Sequence, residues 1–443
     1  MARRWAGRER LTAADASNIV MDAPDQVNAF LMAGVLAPGG PIGSDGSVDV
    51  EGLRAAVAAV MPSTPRLAQR VVPDGRGFAW EPVPLDLGRH VRLVDQVDGL
   101  PGLEALCARL MVTPLPLDRP LWELLLVPGV APQRVGVVFR IHHAMADGLA
   151  AVRLIQLLLR PATGETDASS SPSPEKAAAE TSTTGLPMRP PVPVHRTLRT
   201  RLRTLASGWE RTAAVLRPAV PPTVLLGPIG PRRGVAFVDT PLGALDAGAD
   251  TVGATVNDAL LAAVVGAAEA ALGARGEPVP PVLPVSVPVA LAQRGRSGNA
   301  VGVMLVPLPT GEAEVAVRLR RIAALTRERK ADARSRGSFE LTRTRFGARL
   351  FMRLVRHQRL IVMFVTNVPG PRHPLALAGA PLERVWPLAA IQGNVRLGAA
   401  ALSYDGVLRC AAHCDADAVS AKVFREALRS ELARVAALAE GSG

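Results

Sequence analysis

Arg140-Ile141-His142-His143-Ala144-Met145-Ala146-Asp147-Gly148-Leu149 is the stretch whose reading decides this chain. Ahead of it, Val135, Val137, Phe139 and Ile141 alternate over residues 134–141, the period of a strand. Behind it, residues 148–160 carry Leu149, Val152, Ile155, Leu158 and Leu159 at helical spacing, and Pro161 is expected to stop that helix. Two histidines, an aspartate and a glycine therefore occupy a strand-to-helix turn. Alternation puts His143 on the face of Phe139 and Ile141, and His142 on that of Arg140, so the two rings point different ways. His143 follows the apolar, inward-facing set and is the candidate base. Neutral imidazole accepts a proton near pH 7 and gives it back later. Asp147 is expected to hold the turn through backbone amides or a distant arginine, or to cap the helix. Gly148 lets the chain fold back closely.

Bulk composition narrows the class. The chain has 443 residues, 48% hydrophobic and 20% charged, as in a folded soluble protein of two or three domains. Aromatic residues are only 3%, so the cores must be built from Ala, Leu and Val, which favours an α/β protein over a large β-sandwich. No apolar segment follows the basic N-terminus, so no secretory signal is expected. No uncharged apolar run reaches the length of a bilayer span; 259–268 is the nearest and ends at Glu269. Three cysteines (Cys107, Cys410 and Cys414) speak against a disulfide framework and for a cytoplasmic chain. Cys410, His413 and Cys414 have a loosely metal-like spacing, but strand alternation explains it and no metal site is expected.

The formal charge is +12, and it is concentrated. Residues 318–359 hold 14 Lys plus Arg against three acids, with Phe339, Leu341, Phe346, Leu350, Leu354 and Val355 at largely helical spacing. Such a basic amphipathic segment suits an anionic membrane or lipid droplet surface, the phosphates of a nucleotide-bearing ligand, or simply a solvated helix face. Nucleic acid is not an expected partner, because no recognition motif and few stacking aromatics accompany the charge.

Outward from the histidine pair, Pro120-Leu121-Trp122-Glu123 leads into a strand that should neighbour the one ending at His143, with Trp122 in the core. Residues 1–161 form the expected N-terminal domain. Residues 162–225 form a Ser/Pro-rich linker with a basic helix at 196–216. Residues 226–443 form a C-terminal domain of the same strand and helix alternation. In it, Asn257 or Asp258 is expected to cap a long apolar helix. Residues 284–287 and 301–306 read as strands, with Gly298-Asn299 between them. Residues 361–365 read as a strand running into a rigid turn, Thr366-Asn367-Val368-Pro369-Gly370-Pro371. A hairpin turns at Asp405-Gly406, and a last helix closes the chain.

In their order these landmarks resemble the bacterial wax ester synthase/acyl-CoA:diacylglycerol acyltransferase family. That family lies within the larger chloramphenicol acetyltransferase-like and condensation-domain group. His142-His143-Ala144-Met145-Ala146-Asp147-Gly148 matches the group's HHxxxDG motif. The family-specific likeness rests on Pro120-Leu121-Trp122-Glu123, Asn257-Asp258, Gly298-Asn299, Asn367-Val368-Pro369-Gly370-Pro371 and Ser403-Tyr404-Asp405-Gly406. Two positions depart from the family pattern: Pro288 follows the VPVS-type strand where arginine is usual, and Thr366 stands where serine is common.

The resemblance implies two α/β domains, each a mixed sheet with flanking helices, and a tunnel at their interface with His143 near its middle. It implies long-chain acyl transfer from acyl-CoA to a lipid hydroxyl acceptor, diacylglycerol or a fatty alcohol, with no cofactor. His143 would be the general base, with His142, Asp147 and Gly148 supporting the motif. Asn257, Asp258, Asn299, Thr366 and Asn367 would line the tunnel or supply the oxyanion donor, while Pro120, Leu121 and Trp122 would be structural. Another alcohol or amine acceptor, or a catalytically silent lipid-binding role, would use the same fold. The expected place is the cytoplasm, peripheral to the inner face of the membrane.

Overall fold

The computed structural model describes residues 7–22, 26–75, 77–146, 154, 157–161, 220–290, 301–335 and 353–442. Asp147, Gly148, Asn299, most of the helix expected after the motif, the linker with its basic helix, and residues 336–352 of the basic run lie outside the described residues.

Strand β1 (Glu9–Arg10) precedes α1 (Ala13–Met21), which Thr12 caps: its side chain accepts from Asp15 N–H at 3.2 Å. Next come β2 (Ala29–Leu36) and α2 (Val50–Val60), whose Leu53 and Val57 share one buried face. β3 (Gln69–Asp74) and β4 (Gly77–Pro82) form the hairpin around Asp74-Gly75, with Gly75 at φ 56°. His90 ends the one-turn helix α3 (Leu87–His90), and the strand β5 (Val91–Leu93) follows directly. α4 (Gly99–Leu110), β6 (Trp122–Ala131) and β7 (Arg134–His142) complete the run to the histidine pair.

Leu159 and Pro161 do not end a helix as the spacing predicts. They belong to β8 (Leu159–Pro161), which pairs antiparallel with residues Leu375 to Leu377. Apolar spacing cannot foresee an edge partner more than two hundred residues away, and proline is tolerated on an edge strand.

The second half runs through β9 (Arg233–Pro241), α5 (Leu242–Asp250), α6 (Val256–Gly273), β10 (Val282–Ala290), β11 (Val301–Pro309) and α7 (Val315–Ser335). It ends with β12 (Met363–Pro369), β13 (Leu375–Leu377), β14 (Ala380–Leu388), β15 (Leu397–Tyr404), β16 (Val407–Asp415) and α8 (Ala421–Ala436). α6 is apolar on all sides because it is core on all sides. It is long and apolar enough to cross a bilayer, yet 72% of it is buried inside the fold.

The fold is mixed α/β, with two large sheets. One has the order β5-β6-β7-β2-β14-β13-β8, and the other β11-β10-β12-β15-β16-β9; β1, β4 and β3 form a small third sheet. The chain does not divide at one point between the large sheets. β13 and β14 leave the C-terminal sheet after β12 and complete the N-terminal one, β14 pairing antiparallel with β2.

One face of the C-terminal sheet packs under α6, α7 and α8. Part of its other face meets the N-terminal lobe, where Phe237 of β9 stacks on Trp386 of β14 with centroids 4.5 Å apart and planes 7° from parallel. Beside that stack, buried Glu104 of α4 accepts from Phe237 N–H at 2.8 Å and from Arg425 Nη2 of α8 at 2.6 Å.

The basic run is less free than its composition implies. Arg318, at 3% exposure, is ion-paired to Glu431 at 3.0 Å and donates to the Glu312 carbonyl at 2.6 Å, so it belongs to the core.

Candidate active site

β7 delivers the histidine pair between two neighbours, β2 and β6. Register pairs Ala29 with His142 on one side and Trp122 with Ile141 on the other. The Pro120-Leu121-Trp122 segment meets the motif directly, since His142 N–H donates to the Leu121 carbonyl at 3.0 Å. Trp122 is core, as expected. It is 1% exposed, donates from Nε1 to the Leu67 carbonyl at 2.8 Å, and stacks on His90 with centroids 4.5 Å apart.

Phe139 and Ile141 fall in the apolar cluster on one face of the sheet, whereas Val138 falls in the cluster on the other. Arg140 shares the second face. Its guanidinium pairs with Glu123 at 2.6 Å and donates to the carbonyls of Leu110 and Thr113, which closes off that side beneath His142.

The two histidines are held differently. His142 is 1% exposed, and its Nδ1 accepts from Ala144 N–H at 3.0 Å. The proton of its neutral ring is therefore on Nε2, which faces Asp22 Oδ2 at 3.6 Å. His143 lies just past the strand and keeps some exposure as a residue. Its ring is nonetheless desolvated: burial, and secondarily His142, push the imidazole down to about 4. At neutral pH His143 is an uncharged ring with a lone pair, the form a general base needs.

Three polar residues that sequence reading passed over surround this turn. Asn28 accepts His143 N–H on its carbonyl at 3.0 Å, and Asn18 Nδ2 donates to the His143 carbonyl at 3.3 Å. Asp22 Oδ1 accepts Asn28 N–H at 2.8 Å. The available signal was weak: polar residues on a short helix and at the start of a strand otherwise made of Ala, Phe, Leu and Val. Gln26 adds a link between lobes, its amide exchanging hydrogen bonds with the Gly393 backbone at 2.8 and 3.0 Å.

The remaining candidates separate. Thr366 and Asn367 are strand residues of β12, paired with Ala400 and Ala401, and the turn begins only at Gly370. Parallel pairing with β15 carries the strand on to Pro369, which local turn propensity does not anticipate. Alternation then parts them. Thr366 shares the face of Val368 and Leu402, which belong to the same apolar cluster as Ile141 and Ala146, while Asn367 shares that of core residues Met363 and Val365. Ser286 of β10, buried at 7% and in register with Phe364, lies on the Thr366 face and was not singled out by sequence. Pro288 is exposed on that face, two residues beyond the point where β10 stops pairing with β12.

Asp258 does not fit as an oxyanion donor, and neither it nor Asn257 is the helix cap. Thr255 caps α6, and Asp258 completes a capping box, accepting from Thr255 N–H at 2.9 Å and Thr255 Oγ1 at 2.7 Å. Its other oxygen accepts from Thr326 at 2.6 Å, so a carboxylate that can only accept is already satisfied. Asn257 is half-buried beside it. Alternation also divides the loosely metal-like trio. Cys410 and Cys414 point into the C-terminal core, where burial pushes both thiols up to about 12, and His413 lies on the opposite face.

An apolar cavity of about 30 Å³ lies on the Phe139 face of the N-terminal sheet, lined by Met32, Leu124, Val137, Phe139, Leu158 and Leu382 among others.

Comparison with known proteins gives this geometry a family. Residues 11–260 match the wax ester synthase/diacylglycerol acyltransferase catalytic domain, and residues 297–435 match the C-terminal domain of the same family. A Mycobacterium tuberculosis protein named as a probable diacylglycerol O-acyltransferase is 30% identical over 377 residues, covering 80% of each chain, and a Mycobacterium bovis protein matches equally. Among solved structures, the wax ester synthase/diacylglycerol acyltransferase of Marinobacter aquaeolei superposes over 98% of this chain and all of its own, with TM-score 0.70 at 20% identity. The starter condensation domain of rhizomide synthetase, solved with C8-CoA and Leu-SNAC, gives TM-score 0.53 at 16% identity, over 98% of this chain and 95% of its own. The chain therefore belongs to the wax ester synthase/diacylglycerol acyltransferase family, and its activity is acyl-CoA-dependent O-acyl transfer.

Proposed function

We propose that this protein transfers a long-chain acyl group from acyl-CoA to the free hydroxyl of diacylglycerol, with His143 as the general base. The observation that carries the chemistry is a desolvated, uncharged imidazole on a turn whose backbone is tied at both its N–H and its carbonyl. The names of the mycobacterial relatives support diacylglycerol as the acceptor. Fatty alcohol is the second acceptor, supported by the family's wax ester synthase activity.

In this reaction His143 takes the acceptor's hydroxyl proton while the oxygen attacks the thioester carbonyl. The tetrahedral oxyanion needs a donor. Thr366 is the candidate taken here, supported by the face it shares with Val368 and Leu402. Collapse breaks the C–S bond, and the His143 imidazolium returns its proton to the departing thiolate. The oxygen ester and free CoA leave, and the enzyme is unchanged. Acyl-CoA and the acceptor would approach from opposite sides of a passage between the lobes.

Contact with anionic lipid through the basic run 318–359 is part of the proposal. It is supported by the charge of that segment, and binding to anionic vesicles should weaken as salt rises.

The test is to incubate purified full-length protein with palmitoyl-CoA and a panel of acceptors, following free thiol and product. Diacylglycerol-dependent thiol release with triacylglycerol formed is the expected result. His143→Ala should reduce it by about a hundredfold or more. Release only with short alcohols or amines would replace the acceptor, and binding of acyl-CoA without release to any acceptor would make the protein a lipid binder.

A further inference from the structure

α1 and the start of β2 grip the backbone of His143 at both of its polar atoms. Asn28 supplies the carbonyl that accepts the His143 N–H, at 3.0 Å. Asn18 Nδ2 donates to the His143 carbonyl at 3.3 Å, bridging 125 positions of sequence.

The second contact requires the Asn18 amide to present its nitrogen, not its oxygen, to His143. Asn28 enforces that choice. Its Nδ2 donates to Asn18 Oδ1 at 3.0 Å and to the Asn18 carbonyl at 3.2 Å, so the Asn18 oxygen is already held by a donor. Asn28 is 3% exposed, and its own N–H is fixed by Asp22.

Helix formation does not require this arrangement. α1 is capped by Thr12, six residues before Asn18, and β2 pairs on both edges without it. What the pair adds is an anchor on the one backbone position from which the His143 ring projects.

We infer that Asn18 and Asn28 are positioning residues for acyl transfer, fixing the His143 backbone and so the reach from its ring to the acceptor hydroxyl. The inference rests on His143 being the base. Neither asparagine contacts substrate in this account. A base must come within about 3 Å of the proton it takes, and a misplacement of about 1 Å can cost about a hundredfold in rate. Losing the anchor should therefore lower turnover and leave acyl-CoA binding alone.

Asn18→Asp is the sharpest variant. It keeps the size and the oxygen that accepts from Asn28, but it turns a carboxylate oxygen toward the His143 carbonyl. Asn18→Leu, which removes the donor without adding charge, guards against misfolding of the first. For either variant that keeps the wild-type melting temperature, kcat should fall about tenfold to a hundredfold while KM for palmitoyl-CoA stays within about twofold. In a His143→Ala background the same substitution should change the residual rate by less than about twofold, because there is no ring left to place.

Wild-type turnover in Asn18→Asp or Asn18→Leu would overturn the inference, as would an equal loss in the His143→Ala background. The outcomes for the underlying base are distinct. An inactive His143→Ala with fully active Asn18 variants sinks only the positioning role, whereas a fully active His143→Ala sinks the base and the positioning role together.

Discussion

The Tyr404 hydroxyl, at the end of β15 in the C-terminal sheet, donates to the Leu382 carbonyl at 2.7 Å, in a strand that has crossed into the N-terminal sheet. The same oxygen accepts the Leu375 N–H at 2.8 Å. This buried hydroxyl, on the chain's single tyrosine, thus ties the first residue of β13 to the early part of β14 in the crossover that joins the lobes.

Tyr404→Phe should cost about 1–3 kcal/mol, because it leaves a buried carbonyl and a buried amide unpaired in exchange for one lost hydroxyl. Urea unfolding of the purified protein reads this as a lower midpoint. An unchanged midpoint would show that the crossover is held by packing alone.

Glu104→Gln should loosen the joint between lobes. The amide keeps an acceptor for Phe237 N–H but gives up the charge opposed to Arg425, which is partly exposed and so screened. A loss of about 1–2 kcal/mol in unfolding is expected, with Arg425→Met costing nothing further in the double variant. Additive losses would mean that the two residues act separately.

Burial holds the His143 imidazole near 4, below its ordinary 6.5, so its basic form persists well into the acid range. The acid limb of kcat/KM should accordingly lie below about pH 5 and not near 6.5. A limb centred at 6.5 would show a solvated ring.

His413 titrates in the same direction for the same cause: burial pushes it down to about 4, against its Nδ1 hydrogen bond to the Ala389 carbonyl at 2.8 Å. Its folded value is depressed, so between pH 6.5 and 4 the unfolded chain takes up a proton that the folded one refuses. Stability is then lost as pH falls through that window. The urea midpoint should drop between pH 7 and 5, and drop less in His413→Asn, which has no proton to gain. Parallel pH dependence in the two proteins would remove His413 from the account.

Gly370→Ala should be severe. A Cβ there would stand 2.2 Å from the Ser403 carbonyl oxygen, which is backbone and cannot swing aside, and the Gly370 N–H that donates to Ser403 Oγ at 3.1 Å would move with it. A loss on the order of 2–4 kcal/mol or poor soluble expression is expected. Wild-type stability would show that the turn after β12 can shift freely.

The one-dimensional pattern determined a good deal: the strand before the histidine pair, the Asp405-Gly406 hairpin, the buried Trp122 and the family. Each depends on neighbours within a few residues, or on motifs whose order survives in the chain itself. Tertiary structure decided the rest. Thr366 and Asn367 became strand because β15 continues the ladder. Leu159–Pro161 became strand because β13 offers an edge. Asp258 was taken up by Thr255 and Thr326, and Arg318 by Glu431. The grip of Asn18 and Asn28 on His143 was invisible for the same reason: hydrogen bonds that bridge more than a hundred residues leave no periodicity behind, and only folding brings their partners within 3 Å or so of each other.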